Sequence, residues 1–238
     1  LIRRIHMRKY LLHVLIISFV FLLAPAAQVA SYAGEIEDAR EEVRKNPDDA
    51  LAHYNLGGAY YDSGKHKEAI ESYKQAIRID PDYVKAHGNL GNAYFKSSKY
   101  EEAIESYKQV LRIDPDYAKA HNNLGIAYGE LGKYEDAIGS YKQAIRLDPD
   151  DAYAHYNLGL AYVVGLGKYE EAIKSFKQAI RLDPDYAEAH FNLGGVYSYL
   201  NDRDSANSVK CKYFRISNDS SLMALLDLNL KTTNLLLL

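Results

Sequence analysis

Apolar residues recur along this chain at helical spacing, in paired segments separated by a short break. From Ala50 onward, Leu56, Ala59 and Tyr60 fall at i, i+3 and i+4. After Gly64-Lys65, residues Ala69, Ile70, Tyr73, Ala76 and Ile77 fall at i, i+1, i+4, i+7 and i+8. Each set makes one apolar stripe on a helix, with polar residues covering the remaining surface. Two helices joined by a tight break form a hairpin. Asp80-Pro81 ends the second helix, because proline disfavours helical backbone at the residue before it. Asp82 is then placed to cap the next helix. A further stripe, Ile36, Ala39 and Val43, predicts a capping helix within residues 34–47, covering the first hairpin.

The hairpin returns. Units span residues 50–83, 84–117, 118–151, 152–186 and, in degenerate form, 187–218. A fixed period of this size identifies a repeat architecture, in which neighbouring units bury one continuous core. The fourth unit carries one extra residue, between Val163 and Lys168. Gly57, Gly91, Gly125, Gly159 and Gly194 recur inside the first helix of each unit. Glycine there costs ~1 kcal/mol relative to alanine, so its return requires close approach of a neighbour. Ala69, Ala103, Ala137, Ala172 and Ala206 form a matching column of small residues on the second helix. The expectation is that glycine and alanine face each other.

These residues resemble the tetratricopeptide repeat (TPR): Leu-Gly, then Tyr, Ala, Tyr or Phe, Ala and Pro at fixed places. The first unit has Leu56, Gly57, Tyr60, Ala69, Tyr73, Ala76 and Pro81; the second has Leu90, Gly91, Tyr94, Ala103, Tyr107, Val110 and Pro115. The third has Leu124, Gly125, Tyr128, Ala137, Tyr141, Ala144 and Pro149; the fourth has Leu158, Gly159, Tyr162, Ala172, Phe176, Ala179 and Pro184. The fifth keeps Leu193, Gly194, Tyr197 and Ala206, but has Lys210, Tyr213 and Asn218 where aromatic, alanine and proline belong. The resemblance implies an all-α fold, a right-handed α-solenoid of stacked antiparallel helix hairpins.

The ends of the chain follow other rules. Met7 opens a basic "MRKY", followed by an apolar stretch from Leu11 to Leu23 and then small residues. This is the plan of an export signal within residues 1–33, with Ser31-Tyr32-Ala33 as one cleavage site and Ala24-Pro25-Ala26 as another. The protein is therefore expected to be exported, to the periplasm or the extracellular space. The alternative is an uncleaved anchor, a membrane tether through residues 8–24, although a span needs ~20 apolar residues. Residues 219–238 are rich in leucine. They are expected to form a closing helix through Leu222, Leu225, Leu226 and Leu230, or to be disordered.

Charge narrows the partners. Residues 1–33 hold Arg3, Arg4, Arg8 and Lys9 and no acid. Without them 25 of the 29 basic residues face all 32 acidic ones, a net charge of −7. A nucleic-acid partner is not expected. A single cysteine, Cys211, excludes an internal disulfide and a multi-cysteine zinc site.

Five histidines, His53, His87, His121, His155 and His190, recur with the period. Metal ligands must lie ~2 Å from one ion, whereas packed helices stand ~8–10 Å apart. Successive histidines therefore cannot converge, and a packing role is expected, with no metal and no cofactor. No Ser-His-Asp or Cys-His grouping suggests catalysis.

The candidate binding residues lie two places after each histidine: Asn55, Asn89, Asn123, Asn157 and Asn192. An amide both donates and accepts, so a column of them can pair with the backbone of an extended peptide. The asparagine ladder is similar to that in the repeat module of the O-linked N-acetylglucosamine transferase. That resemblance implies that the first helices line the concave face. Tyr54, Tyr156, Phe191 and Asn92 are expected to add side-chain selectivity, and Lys85 and Lys119 a local positive charge. The family's clamp for a terminal carboxylate needs a Lys just before a ladder Asn, and no unit has one. The expected function is a non-enzymatic scaffold for a protein or peptide segment. The alternative is the recognition module of an enzyme whose catalytic part lies elsewhere; self-assembly through the Leu-rich tail is a third reading, and the oligomeric state is left open.

Overall fold

The computed structural model describes residues 31–217, all-α in architecture. The chain divides into two compact units, residues 1–99 and 100–238. Residues 1–30 of the export segment, with the Ala24-Pro25-Ala26 site, lie outside the described residues, as do the membrane tether and the Leu-rich tail; Ser31-Tyr32-Ala33 stands in a helix. Among the described residues no helix is long and apolar enough to cross a membrane.

The first unit contains α1 (31–45), α2 (Ala50–Asp62), α3 (His66–Ile79) and α4 (Val84–Lys96). Its core gathers Ile36 of α1 with Leu56 and Tyr60 of α2, Ala69, Ile70 and Tyr73 of α3, and Leu90 and Ala93 of α4. Ala39 and Val43 pack against this cluster. Polar cross-links add to it: Arg40 Nε donates to Tyr60 Oη at 3.0 Å.

The second unit contains α5 (Tyr100–Ile113), α6 (Ala118–Glu130), α7 (Tyr134–Leu147), α8 (Ala152–Ala161), α9 (Tyr169–Leu182), α10 (Ala187–Tyr199) and α11 (Arg203–Ser217). Between α8 and α9 the chain winds as a π-helix, Tyr162–Leu166. This is where the extra residue of the fourth unit goes: a widened turn absorbs it without ending the helix. Gly165 within the turn lies on Tyr134 of α7, so close that a Cβ would collide with Tyr134 Cβ and Cγ.

The second helices of the repeats follow helix electrostatics. Acids open them (Glu101 and Glu102; Glu135 and Asp136; Glu170 and Glu171) and Arg78, Arg112, Arg146 and Arg181 close them, each matching the helix dipole. A serine repeats at a buried position, Ser72, Ser106, Ser140 and Ser175. Its hydroxyl donates to the carbonyl four residues back at 2.9–3.0 Å, which satisfies a polar group inside the packing.

Two expectations are corrected. Asp82 does not cap α4: the cap position is Tyr83, which offers no side-chain hydrogen bond. Asp82 sits one residue too early, and its N–H donates to Asp80 Oδ1 at 3.2 Å, closing the turn around the proline. The same turn forms at Asp114, Asp148 and Asp183. Among the first helices of the repeats, a side-chain cap appears where an aspartate replaces that tyrosine. Asp49 accepts from Leu51 N–H, and Asp151 from Tyr153 and Ala154 N–H. The glycine column, in turn, faces a ring and not the alanine column. A Cβ at Gly57 would stand 2.6 Å from the Tyr73 ring, at Gly125 2.6 Å from Tyr141, and at Gly159 2.6 Å from Phe176. The absent side chain is thus the seat of an aromatic, and Tyr73 and Phe176 are 1% and 0% exposed. Each buried ring contributes ~1.5–3 kcal/mol through lost contact with water. In the last hairpin the stem of Lys210 takes the ring's place over Gly194, and its Nζ donates to Ser198 Oγ at 2.8 Å.

Candidate functional site

Every histidine of the column fastens an inter-repeat loop. Nε2 of His53, His87, His121, His155 and His190 lies 2.9–3.1 Å from the carbonyl oxygen of Pro47, Pro81, Pro115, Pro149 and Pro184. A carbonyl only accepts, so Nε2 carries the proton. At His190, Nδ1 is then a buried lone pair with no partner. Burial pushes this imidazole's pKa down, Lys212 adds to the effect, and the Pro184 bond and Asp185 oppose it. The column is held to the loop before its helix, and His87 and His190 are buried. Among the described residues no three of His, Cys, Asp and Glu gather as metal ligands.

The asparagine ladder also has partners inside the protein, in the adjacent repeat. Asn89 Nδ2 donates to Tyr54 Oη at 3.0 Å, and Asn192 Nδ2 donates to Tyr156 Oη at 3.0 Å and to Glu188 O at 3.0 Å. Asn157 Nδ2 donates to Asn122 Oδ1 at 3.3 Å, between two buried side chains. The residue just before one ladder amide therefore receives the next amide along the chain. Tyr54 and Tyr156 are bridges of this kind. Tyr54 is held between Tyr73 and Tyr83, with ring centroids 5.8 and 5.1 Å away; Tyr156 is held between Phe176 and Tyr186, at 5.9 and 4.9 Å. Asn192 uses both of its N–H groups in this way, while a carboxamide keeps an oxygen able to accept.

In the first unit the ladder opens onto a cavity of about 610 Å³. Asn55, Asn89 and Asn92 line it with Tyr54, Tyr61 and Tyr73, and so do Glu35 and Asp38 of α1 and Asp62 at the end of α2. Asn55 is exposed. Burial pushes the phenols of Tyr61 and Tyr73 above their ordinary range, and the negative charge of Asp62 adds to both shifts. The amides and Tyr61 belonged to columns visible in the sequence. The acids of α1 did not, because that helix shows only an apolar stripe and its opposite face becomes a wall only once it is docked.

In the second unit Asn157 borders a cavity of about 410 Å³ of different character. Ile126, Tyr134, Tyr141, Tyr153, Leu160 and Val164 line it, with Glu130 as its one charged group. Val164, carried outward by the π-turn, is 64% exposed. The remaining candidates are dispersed. Phe191 is exposed on α10 against Tyr213, ring centroids 5.2 Å apart. Lys85 and Lys119 are exposed and line neither cavity. Asn123 is half-buried on α6, and Asn192 is turned to Tyr156 and its own helix.

Comparison with known proteins agrees with the repeat fold. The family profile described as TPR repeat matches residues 57–98, 91–132, 128–163 and 164–200. The crystal structure of MamA is similar at 28% identity and a TM-score of 0.65, covering 70% of this chain and 96% of that one. MamA 41-end from Desulfovibrio magneticus RS-1 is 24% identical with a TM-score of 0.67, over 72% and 96% of the two chains. YrrB, described as a TPR protein with an unusual peptide-binding site, is 24% identical with a TM-score of 0.63, over 83% and 99%. No curated protein matches the sequence.

Proposed function

The chain belongs to the TPR repeat family, and from that premise we propose that it is an interaction scaffold that binds an extended peptide or protein segment along the faces of its first helices. The observation that carries this reading is the cavity in the first unit. Two amides of the ladder, Asn55 and Asn89, line a single space with Asn92 and three tyrosines. Amide donors and acceptors pair with a peptide backbone whatever its side chains, while tyrosine gives broad, stiff contact area. In the second unit Asn157 offers its oxygen beside an apolar wall, suited to a hydrophobic side chain of the same kind of ligand. The scaffold needs no chemistry of its own; export through residues 1–33 would bring it to partners outside the cytoplasm.

Peptide-display selection on the full chain tests the proposal. Selected peptides are expected to lose affinity when Asn55→Ala and Tyr61→Ala are introduced in the first unit, or Leu160→Ala in the second. Peptides that bind all three variants undiminished would remove the site from these faces. Intact mass of the protein recovered from its native host checks export: loss of the first ~33 residues is expected.

A further inference from the structure

The first-unit cavity carries an imbalance of charge that its own structure does not relieve. Glu35, Asp38 and Asp62 line it, and among the described residues no lysine, arginine or histidine does. The cations of α1 are paired elsewhere. Arg40 donates to Tyr60 and pairs with Glu37, Arg44 bonds Glu37 and Glu41, and Lys45 pairs with Glu41. Among the described residues Glu35 accepts from Ser31 Oγ, at 3.1 Å, a neutral partner. Asp38 and Asp62 have no ion pair among the described residues. Among the described residues, α1 thus pairs Glu37 and Glu41 with cations and leaves Glu35 and Asp38 without one.

The kind of cation follows from the geometry. The acids are not gathered as metal ligands, because no three such groups converge among the described residues. They are spread around a space of about 610 Å³, with the rings of Tyr54, Tyr61 and Tyr73 between them. Aromatic faces attract ammonium and guanidinium groups, carboxylates accept their N–H bonds, and the ladder amides hold backbone. A long side chain with a delocalised or terminal positive charge satisfies all three.

Building on the scaffold reading above, we propose that the cavity between α1, α2 and α4 receives the lysine or arginine side chain of a basic stretch in the bound peptide. The net charge of −7 beyond residue 33 draws such a segment toward the protein. The partner is then a basic, extended protein segment, and α1 supplies the wall that selects it.

Fluorescence anisotropy of the full chain tests this with three labelled nine-residue peptides, alternating serine with arginine, glutamine or glutamate. The arginine peptide is expected to bind at least tenfold more tightly than the glutamine peptide, and to weaken steeply between about 20 and 200 mM salt as screening shortens. Asp38→Asn with Asp62→Asn, both exposed carboxylates, is expected to weaken the arginine peptide about tenfold and leave the glutamine peptide and the helical circular dichroism unchanged. Equal binding of the arginine and glutamine peptides, lost in Asn55→Ala, overturns the cationic pocket and leaves the scaffold standing. Failure of every peptide, those chosen by display included, overturns both. Because the salt dependence of the unaltered chain is read separately, a variant that unfolds does not end the test.

Discussion

The two cavities are built on one template and differ in chemistry. Both take a ladder asparagine and an aromatic floor from the repeat: Asn89 over Tyr73 in the first unit, Asn157 beside Tyr141 in the second. What separates them comes partly from variable positions inside the repeat, where Gly58 and Asn92 give way to Ile126 and Leu160, and partly from outside the repeated pattern. In the first, the accessory helix α1 adds Glu35 and Asp38. In the second, the one-residue insertion in the fourth repeat forms a π-turn and brings Val164 to the rim. Repeated positions therefore hold the scaffold together, and departures from the repeat decide what each face prefers. A TPR array diversifies cheaply this way, since its core need not change.

The comparison breaks most visibly at the aromatic floors. Tyr73→Ala and Phe176→Ala are each expected to cost about 3–5 kcal/mol. Repeat proteins lose structure locally, so amide exchange should accelerate across α2–α4 for the first change and across α8–α9 for the second. Uniform acceleration through the whole chain would show that the two units do not behave separately. A smaller effect separates two glycines at the cavities. Gly165→Ala forces a methyl into Tyr134 and is expected to cost about 1–3 kcal/mol. Gly58→Ala meets only Tyr73 Oη, at 4.0 Å, and should gain up to ~1 kcal/mol from helix propensity. Thermal melts that rank the pair the other way would refute the π-turn packing.

Smaller still is the turn between the paired helices. Ser98 occupies the left-handed region (φ 57°), where the second unit has Gly132 and Gly167 (φ 70° and 60°). Ser98→Gly relieves strain and should stabilise by about 1 kcal/mol; urea midpoints that fall would contradict it. The least effect is that of pH. His190 has a depressed pKa, so the unfolded chain takes up a proton first. Stability contributed by the neutral ring is complete above the ordinary value, about 6.5. It declines as pH falls from there toward the folded pKa. His190→Gln should flatten that part of the stability profile, measured by denaturant titration across pH 5–8, and an unaltered slope would remove the buried Nδ1 as its cause.

Most of the architecture was legible because the repeat prints each contact several times. Leucines, alanines and aromatics at fixed offsets announced the hairpins, and Pro81, Pro115, Pro149 and Pro184 announced their ends. What escaped was direction. Glycine and alanine columns are equally small, and only the packed helices reveal that Gly57 receives Tyr73 and not Ala69. Asp82 sits two places before the first helical residue, and one tyrosine decides whether the acid at that border caps or merely turns. The ladder amides were found, yet their bonds to Tyr54, Asn122 and Tyr156 depend on how neighbouring first helices lie, which periodicity does not state. The acids of the first cavity were hidden for a similar reason: the charged face of α1 matters only through what it is set beside.

The proline–histidine fastening bears on how such a chain grows. Each repeat ends in the carbonyl that accepts and begins, six residues after the preceding proline, with the imidazole that donates. Any copy can therefore follow any other, since plug and socket travel on the same segment of coding sequence. A gene that duplicates, loses or shuffles whole copies inherits working joints at every new junction, and selection is left free to act on the few residues that face a partner.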